Sequence, residues 1–264
     1  MKHSSPEFAR LAERGTILRC QAGSGVHGTA VAGQGDRDEM GICVEPPEYV
    51  VGLRSFEQYV FRTRPEGVRS GPGDLDLTVY SLRKWTRLAL SGNPTVLLPL
   101  FVPDAEVTRI DDLGRELRAN ADRFVSREAG QRFLGYLRAQ RDSMLGLRGG
   151  RHTNRPELVD EYGFDVKFAG HMIRLGVQGV ELMETGRVTL PMPEPWGAWI
   201  RDLRQGRYSM EEALAAAEEQ EKRLVVLAED ADLPPHADHD WANAWLVRAY
   251  QDTWRRWDAE DAGD

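Results

Sequence analysis

Apolar positions recur along this chain in two rhythms. Up to residue 110 they form short segments bounded by glycine and proline. ILRCQAG (17–23), MGICVEP (40–46) and DLDLTVYSL (74–82) read as strands, and SLRKWTRLALSG (81–92), with helical spacing, as a helix after the third. Beyond residue 110 the spacing is helical almost throughout. It predicts two helices over 109–145, a third over 164–186, a fourth over 209–230 and a last over 239–257. Gly186 and the prolines of VTLPMPEP stop the third, because proline cannot continue a helix. The expectation is an α+β fold: a head over residues 1–110 and a helical domain over 111–264. No repeat recurs at a fixed period, and the acidic end DAEDAGD reads as a frayed terminus.

With 264 residues, 41% hydrophobic and 29% charged, the chain reads as globular and long enough to bury a sizeable core. No apolar run nears the roughly 20 residues that span a membrane, and residues 1–20 do not resemble a secretory signal, so a cytoplasmic location is expected. Two cysteines, Cys20 and Cys43, make no disulfide framework and read as small core residues. The net charge of −8 argues against bulk attraction to nucleic acid. A local basic patch remains: Arg132, Arg138, Arg141, Arg148, Arg151 and Arg155 face only Asp142, as a solvated helix face or as a phosphate clamp.

The densest chemical signal is GSGVHGTAVAGQGDRDEMG, residues 23–41. Asp36 and Asp38 stand one residue apart before an apolar run, so a strand there points both carboxylates to one side. Gly23 and Ser24 open a turn and a helix whose free N–H groups face phosphates. DRDE is also an ordinary polar turn, and a Gly-Ser pair an ordinary helix cap. In DLDLTVYSL, Asp74, Asp76 and Thr78 share one face. Converging carboxylates repel unless a cation such as Mg²⁺ sits among them. Further on, Lys167, His171 and Arg174 recur at i, i+4 and i+7, three basic groups on one helix face, beside an apolar stripe of Phe168, Met172, Leu175 and Gly179. Tyr162, Asp165 and Glu181 are polar neighbours placed to orient them.

Gly23-Ser24, His27 to Thr29 and the DRDEMG run resemble the signature of the DNA polymerase beta-like nucleotidyltransferase superfamily. LRKWTRLALSGNPTVLLPLF and YGFDVKFAGHMIRLGVQGVELMETGRVTLPMP resemble a smaller bacterial and phage group, some of whose members are associated with RNA repair. The resemblance spans residues 20 to 205 and implies a minimal nucleotidyltransferase mixed sheet with helices. It implies Asp36, Asp38 and Asp76 as catalytic and metal-holding residues, with Mg²⁺ or Mn²⁺ as cofactor. It also implies Gly23, Ser24, His27, Thr29, Lys167, His171 and Arg174 around an NTP substrate. The expected reaction is nucleotidyl transfer to a hydroxyl acceptor, such as an RNA end, releasing pyrophosphate. Leu98 stands where the group commonly carries glutamate.

That departure keeps open a non-catalytic nucleotide- or RNA-binding module, or an antitoxin-like partner protein of the same fold. Other chemistries lack their signatures. There is no GxxxxGK[ST], no HExxH and no GxSxG. His236 and His239 read as a polar loop and helix cap. Trp241, Trp245, Trp254 and Trp257 recur at helical spacing, suggesting packing or a partner interface over base stacking.

Overall fold

The computed structural model describes residues 3–31, 37–65, 68, 71, 73–147 and 155–263. Asp36, Arg148 and Arg151 therefore lie outside the described residues. The head comprises α1 (Pro6–Gly15), β1 (Thr16–Ala22), the single turn α2 (Gly23–Val26), β2 (Arg37–Cys43), the single turn α3 (Pro47–Val50), β3 (Gln58–Arg62), β4 (Leu75–Ser81), α4 (Leu82–Leu90) and β5 (Val107–Ile110). Then follow α5 (Asp112–Ala119), α6 (Arg127–Met144), α7 (Pro156–Tyr162), α8 (Val166–Thr185), α9 (Trp196–Leu203), α10 (Met210–Asp230) and α11 (His239–Asp261). The fold is α+β, a mixed five-stranded sheet followed by a helical region. No helix among the described residues is long and apolar enough to cross a membrane.

Strand order is β3-β4-β2-β1-β5, with β2 and β4 parallel and every other pair antiparallel. Period-two geometry divides the side chains between two cores. Leu18, Cys20 and Ile42 point into the main core with α4, α6, α8 and α11, while Cys43, Leu77 and Val79 meet Ala12 and Phe56 beneath α1. Phe8 of α1 meets Phe56 edge-on at 5.0 Å. Ser5 caps α1, accepting from Phe8 N–H at 3.1 Å, and Pro6 supplies the preset φ of a first helical position.

The helices α6, α8 and α10 pack closely because α8 carries glycine where neighbours cross. A Cβ on Gly179 would lie 2.8 Å from Leu224 Cδ2 and 2.9 Å from Phe133 Cβ. Gly186, at φ 69°, ends α8. In α11 the tryptophans pack as their spacing suggests. Trp245 is buried and stacks on Trp241 at 6.0 Å between centroids.

A buried carboxylate holds α11 to the head. Glu45, just past β2, accepts from Tyr250 Oη at 2.7 Å and from Leu82 N–H at 3.0 Å, and its backbone carbonyl accepts from Trp254 Nε1 at 2.8 Å. Burial raises the Glu45 carboxyl, with the Tyr250 hydrogen bond opposing that shift. The native state thus holds this proton more tightly than the unfolded chain, and the Glu45 contribution falls as pH climbs from the ordinary carboxylate range through the raised value. Tyr250→Phe is expected to cost about 1.5–3 kcal/mol, the range for hydrogen bonds to charged groups, read from urea denaturation. Glu45→Gln should flatten that portion of the stability–pH curve. Midpoints equal to the parent's in both variants would show that α11 is held some other way.

Candidate active site

Gly23 follows β1 with φ 67°, a conformation that favours glycine, and its backbone lies directly against Asp38. A Cβ at this position would overlap the Asp38 carboxylate. The turn then closes on itself: Gly28 N–H donates to Gly25 O at 2.9 Å and Thr29 N–H to Ser24 O at 3.0 Å. The helix expected here is a single turn, so aligned peptide dipoles contribute little. What fixes the segment is the helical region. Met192 N–H donates to His27 O at 3.0 Å, Arg201 Nη1 donates to Gly28 O at 2.6 Å, and Arg204 donates to Thr29 O.

The parallel register of β2 and β4 pairs Asp38 with Asp76. Register partners on neighbouring strands project to the same side, here the side of the main core. Asp76 Oδ2 lies 3.7 Å from Arg62 Nε. Asp74, on the same face of the sequence pattern, is held elsewhere: it accepts from Gly71 N–H at 2.9 Å and pairs with Arg64 at 2.9 Å. Those two donors, the Gly71 amide first, hold its carboxyl below the usual range. Among the described residues no three His, Cys, Asp or Glu side chains converge as a metal set. The Asp38–Asp76 pair nonetheless supplies oxygen donors of like charge side by side, a donor set that suits a hard divalent cation.

Across a cavity of about 240 Å³ from Asp38 stands α8. Gly23, Ser24, His27, Thr29, Asp38, Lys167, His171 and Arg174 all line it, and Asp76 stands one strand beyond its wall. Leu98 contributes apolar surface where a carboxylate would have added negative charge. Arg204 also lines it, and no motif marked that residue.

His27 is buried, with Arg174 Nη1 3.0 Å from Nε2 and Gln178 Nε2 3.1 Å from Nδ1; both neighbours are donors, and a neutral ring accepts from only one of them. Arg174 Nη1 also donates to Gln178 Oε1 at 3.1 Å, closing a triangle. Gln178 lies one helical step beyond Arg174 on the stripe begun by Lys167, a spacing that could have flagged it. Burial, then Arg174 and His171, keeps His27 well below the usual histidine range. His171 is lowered likewise, by burial first and then by Arg174, Lys167, Arg204 and Arg155. Burial pushes the Arg174 guanidinium down to about 10, still charged at neutral pH. The helix face read as three basic groups therefore presents a neutral His171 between charged neighbours.

Other sequence-marked residues serve structure. Asp165 caps α8, accepting from Lys167 and Phe168 N–H at 3.0 Å each, and pairs with Arg155 at 2.9 Å. Arg155 is thus engaged beneath the helix and is no open phosphate clamp. Arg138 and Arg141 share Glu221. Glu181 accepts from Thr189 N–H at 3.0 Å, and Tyr162 packs against Gly206, so neither orients the α8 trio. Asp238 caps α11, and His236 meets Glu128 at 3.2 Å, as a polar loop and cap.

Comparison with known proteins adds three findings. An uncharacterized 38.9 kDa protein of Enterobacteria phage T4, from the nrdC-mobD intergenic region, is 28% identical over 138 residues, 52% of this chain. The chain spans 40% of that relative's length. The crystal structure of a nucleotidyltransferase-like protein from Exiguobacterium sibiricum shares 14% identity, covers 84% of this chain and 72% of its own, and superposes with a TM-score of 0.29, too low to bear on the fold. A family model described as the RNA repair pathway DNA polymerase beta family (RlaP) matches residues 2–249, and the chain belongs to that family.

Proposed function

We propose that the protein transfers a nucleotidyl group from an NTP to a hydroxyl acceptor such as an RNA end, with a divalent metal held by Asp38, Asp76 and, from the sequence pattern, Asp36. The observation that carries this reading is the pairing of Asp38 with Asp76 on one face, opposite a cavity lined by Lys167, Arg174 and Arg204. One carboxylate against three cations suits a polyanion such as a triphosphate. A cavity of about 240 Å³ falls below the roughly 300 Å³ at which whole-ligand pockets begin, so the nucleoside extends past its mouth. Held by these carboxylates, Mg²⁺ would neutralise phosphate charge and make the α-phosphorus more electrophilic.

The chain's own residues do the rest. Lys167 and Arg174 bind phosphate oxygens, and His27 with Gln178 orients the Arg174 guanidinium. Gly23 lets the backbone approach the Asp38 carboxylate without a side chain intervening. Asp76 takes the proton of the acceptor hydroxyl as its oxygen attacks the α-phosphorus. The bond from that phosphorus to the bridging oxygen breaks, and pyrophosphate leaves toward Lys167 and Arg174.

Transfer of α-labelled nucleotide to RNA, with pyrophosphate release, tests the reaction. Loss of partners behind a metal ligand already costs about 10–100-fold, so Asp38→Asn and Asp76→Asn should each lower transfer by about 100-fold or more. Variants that transfer label as fast as the parent would contradict the assignment.

The neutral histidine makes a second prediction. A triphosphate beside His171 favours its charged form, raising its pKa from the depressed value, so binding takes up a proton and tightens as pH falls through the bound-state value. In imidazole NMR titrations His171 should stay neutral well below pH 6.5 in the free protein and shift upward with NTP present. Titration near the ordinary value in both states would contradict this electrostatic account.

A further inference from the structure

The face of the sheet that carries Asp38 and Asp76 is covered unevenly. Over β1 and β2 it is sealed, with Leu18 and Ile42 fully buried under the helices. Over β4 and β3 the same face is only partly covered: Asp76, Thr78, Tyr80, Val60 and Gln58 are half-buried and Arg62 is exposed. This partly exposed strip begins at the carboxylates and continues along β4. From Asp76 to Tyr80 the rise along the strand is about 13 Å.

Aromatic and basic groups flank its far end. Lys84 Nζ sits 5.6 Å from the Tyr80 ring centroid and donates to Gln58 Oε1 at 2.8 Å. Tyr136, from α6, is 37% exposed although aromatic, and it lies near enough to Tyr80 that, after burial, its phenol helps raise the Tyr80 hydroxyl above the usual range. Asn93 Nδ2 donates to Tyr136 Oη at 2.8 Å, and the next two residues, Pro94 and Thr95, belong to the cavity wall. One turn before Tyr136, Arg132 donates to Ser91 O at 3.1 Å and has no carboxylate partner among the described residues. The segment from Asn93 to Thr95 thus runs from Tyr136 to the cavity wall, and β4 runs from Asp76 to Tyr80.

An exposed ring, Tyr136, and a half-buried one, Tyr80, beside spaced cations suit single-stranded nucleic acid. Bases stack on rings regardless of sequence, and cations follow the backbone. We propose that the partly exposed face of β3 and β4, with Tyr136 and the half-buried Tyr80 as stacking groups and Arg62, Lys84 and Arg132 as phosphate contacts, receives the single-stranded end of the polynucleotide acceptor. The proposal rests on the nucleotidyl-transfer reading, and places the terminal hydroxyl at Asp76 with the preceding nucleotides along β4 toward Tyr80 and Tyr136. A duplex, whose bases are already stacked, gains nothing from the rings.

The test measures binding of a fluorescein-labelled RNA about 12 nucleotides long to the full chain by anisotropy, single-stranded or as a duplex, for the parent, Tyr136→Ala and Tyr136→Phe. A fluorescent NTP analogue with Mg²⁺ is titrated in parallel. The parent should prefer the single strand. Tyr136→Ala should weaken single-strand binding about 5- to 150-fold, the measured worth of one base–aromatic stack, while holding the NTP analogue as the parent does. Tyr136→Phe, which keeps the ring, should stay within about twofold of the parent. Parent-like RNA affinity in Tyr136→Ala, or a parent that binds duplex as tightly as single strand, overturns the proposal alone. A parent that binds no NTP analogue overturns the nucleotidyl-transfer reading, and the proposal with it.

Discussion

Parallel pairing of β2 with β4 is the constraint on which the candidate active site depends, because it sets Asp38 beside Asp76 and turns both toward the main core. A slip of one residue would send one carboxylate to the α1 side, among Leu77 and Val79. The register is held by burial on both faces. Ile42 is packed beneath the helices and Cys43 beneath α1, so a one-residue shift of β2 would turn each toward the wrong core. Two like charges set side by side are unfavourable in themselves. Arg62 offsets part of that repulsion at Asp76, and a bound cation would offset more.

The opposite wall works under a different electrostatic strain. Burial disfavours the charged forms of Arg174 and His171, and the histidine yields by staying neutral while the guanidinium stays charged. His27 and Gln178 hold Arg174 in place before any ligand arrives, so little ordering is left for binding to bring about. Arg201 and Arg204 tie the Gly28–Thr29 backbone to α9. The glycine turn, carried by the head, and the basic wall, carried by the helical region, are therefore positioned against one another through main-chain carbonyls.

Much of this was legible in the sequence, for identifiable reasons. Strands β1 and β2 stood out for their apolar runs, β4 because its apolar positions alternate, and α8 because its stripe is long. QYVFR and VTRI gave no comparable signal: β3 and β5 are edge strands, and their charged or exposed positions blur the alternation. The Gly-Ser turn and Asp38 stand close together in the chain, whereas Asp76 was set apart from Asp74 only by the family resemblance. Arg204 acts on Thr29 across 175 residues, a contact that leaves no mark on spacing, whereas Gln178, which meets His27 across 151, sits on the α8 stripe that could have marked it. Arg155 shows the converse. It read as a loop cation, yet its partner Asp165 stands ten residues on, at the cap of α8.

The central claim is that the carboxylate pair and the α8 wall act on one triphosphate. A crystal soaked with Mn²⁺ and a non-hydrolysable NTP, with anomalous scattering used to locate the metal, tests it most directly. The account predicts a metal peak touching the carboxylates of Asp38 and Asp76, with triphosphate oxygens against Lys167 and Arg174 and the turn at Gly23 alongside. Metal bound away from both aspartates, or a triphosphate seated elsewhere while this cavity stays empty, would contradict it.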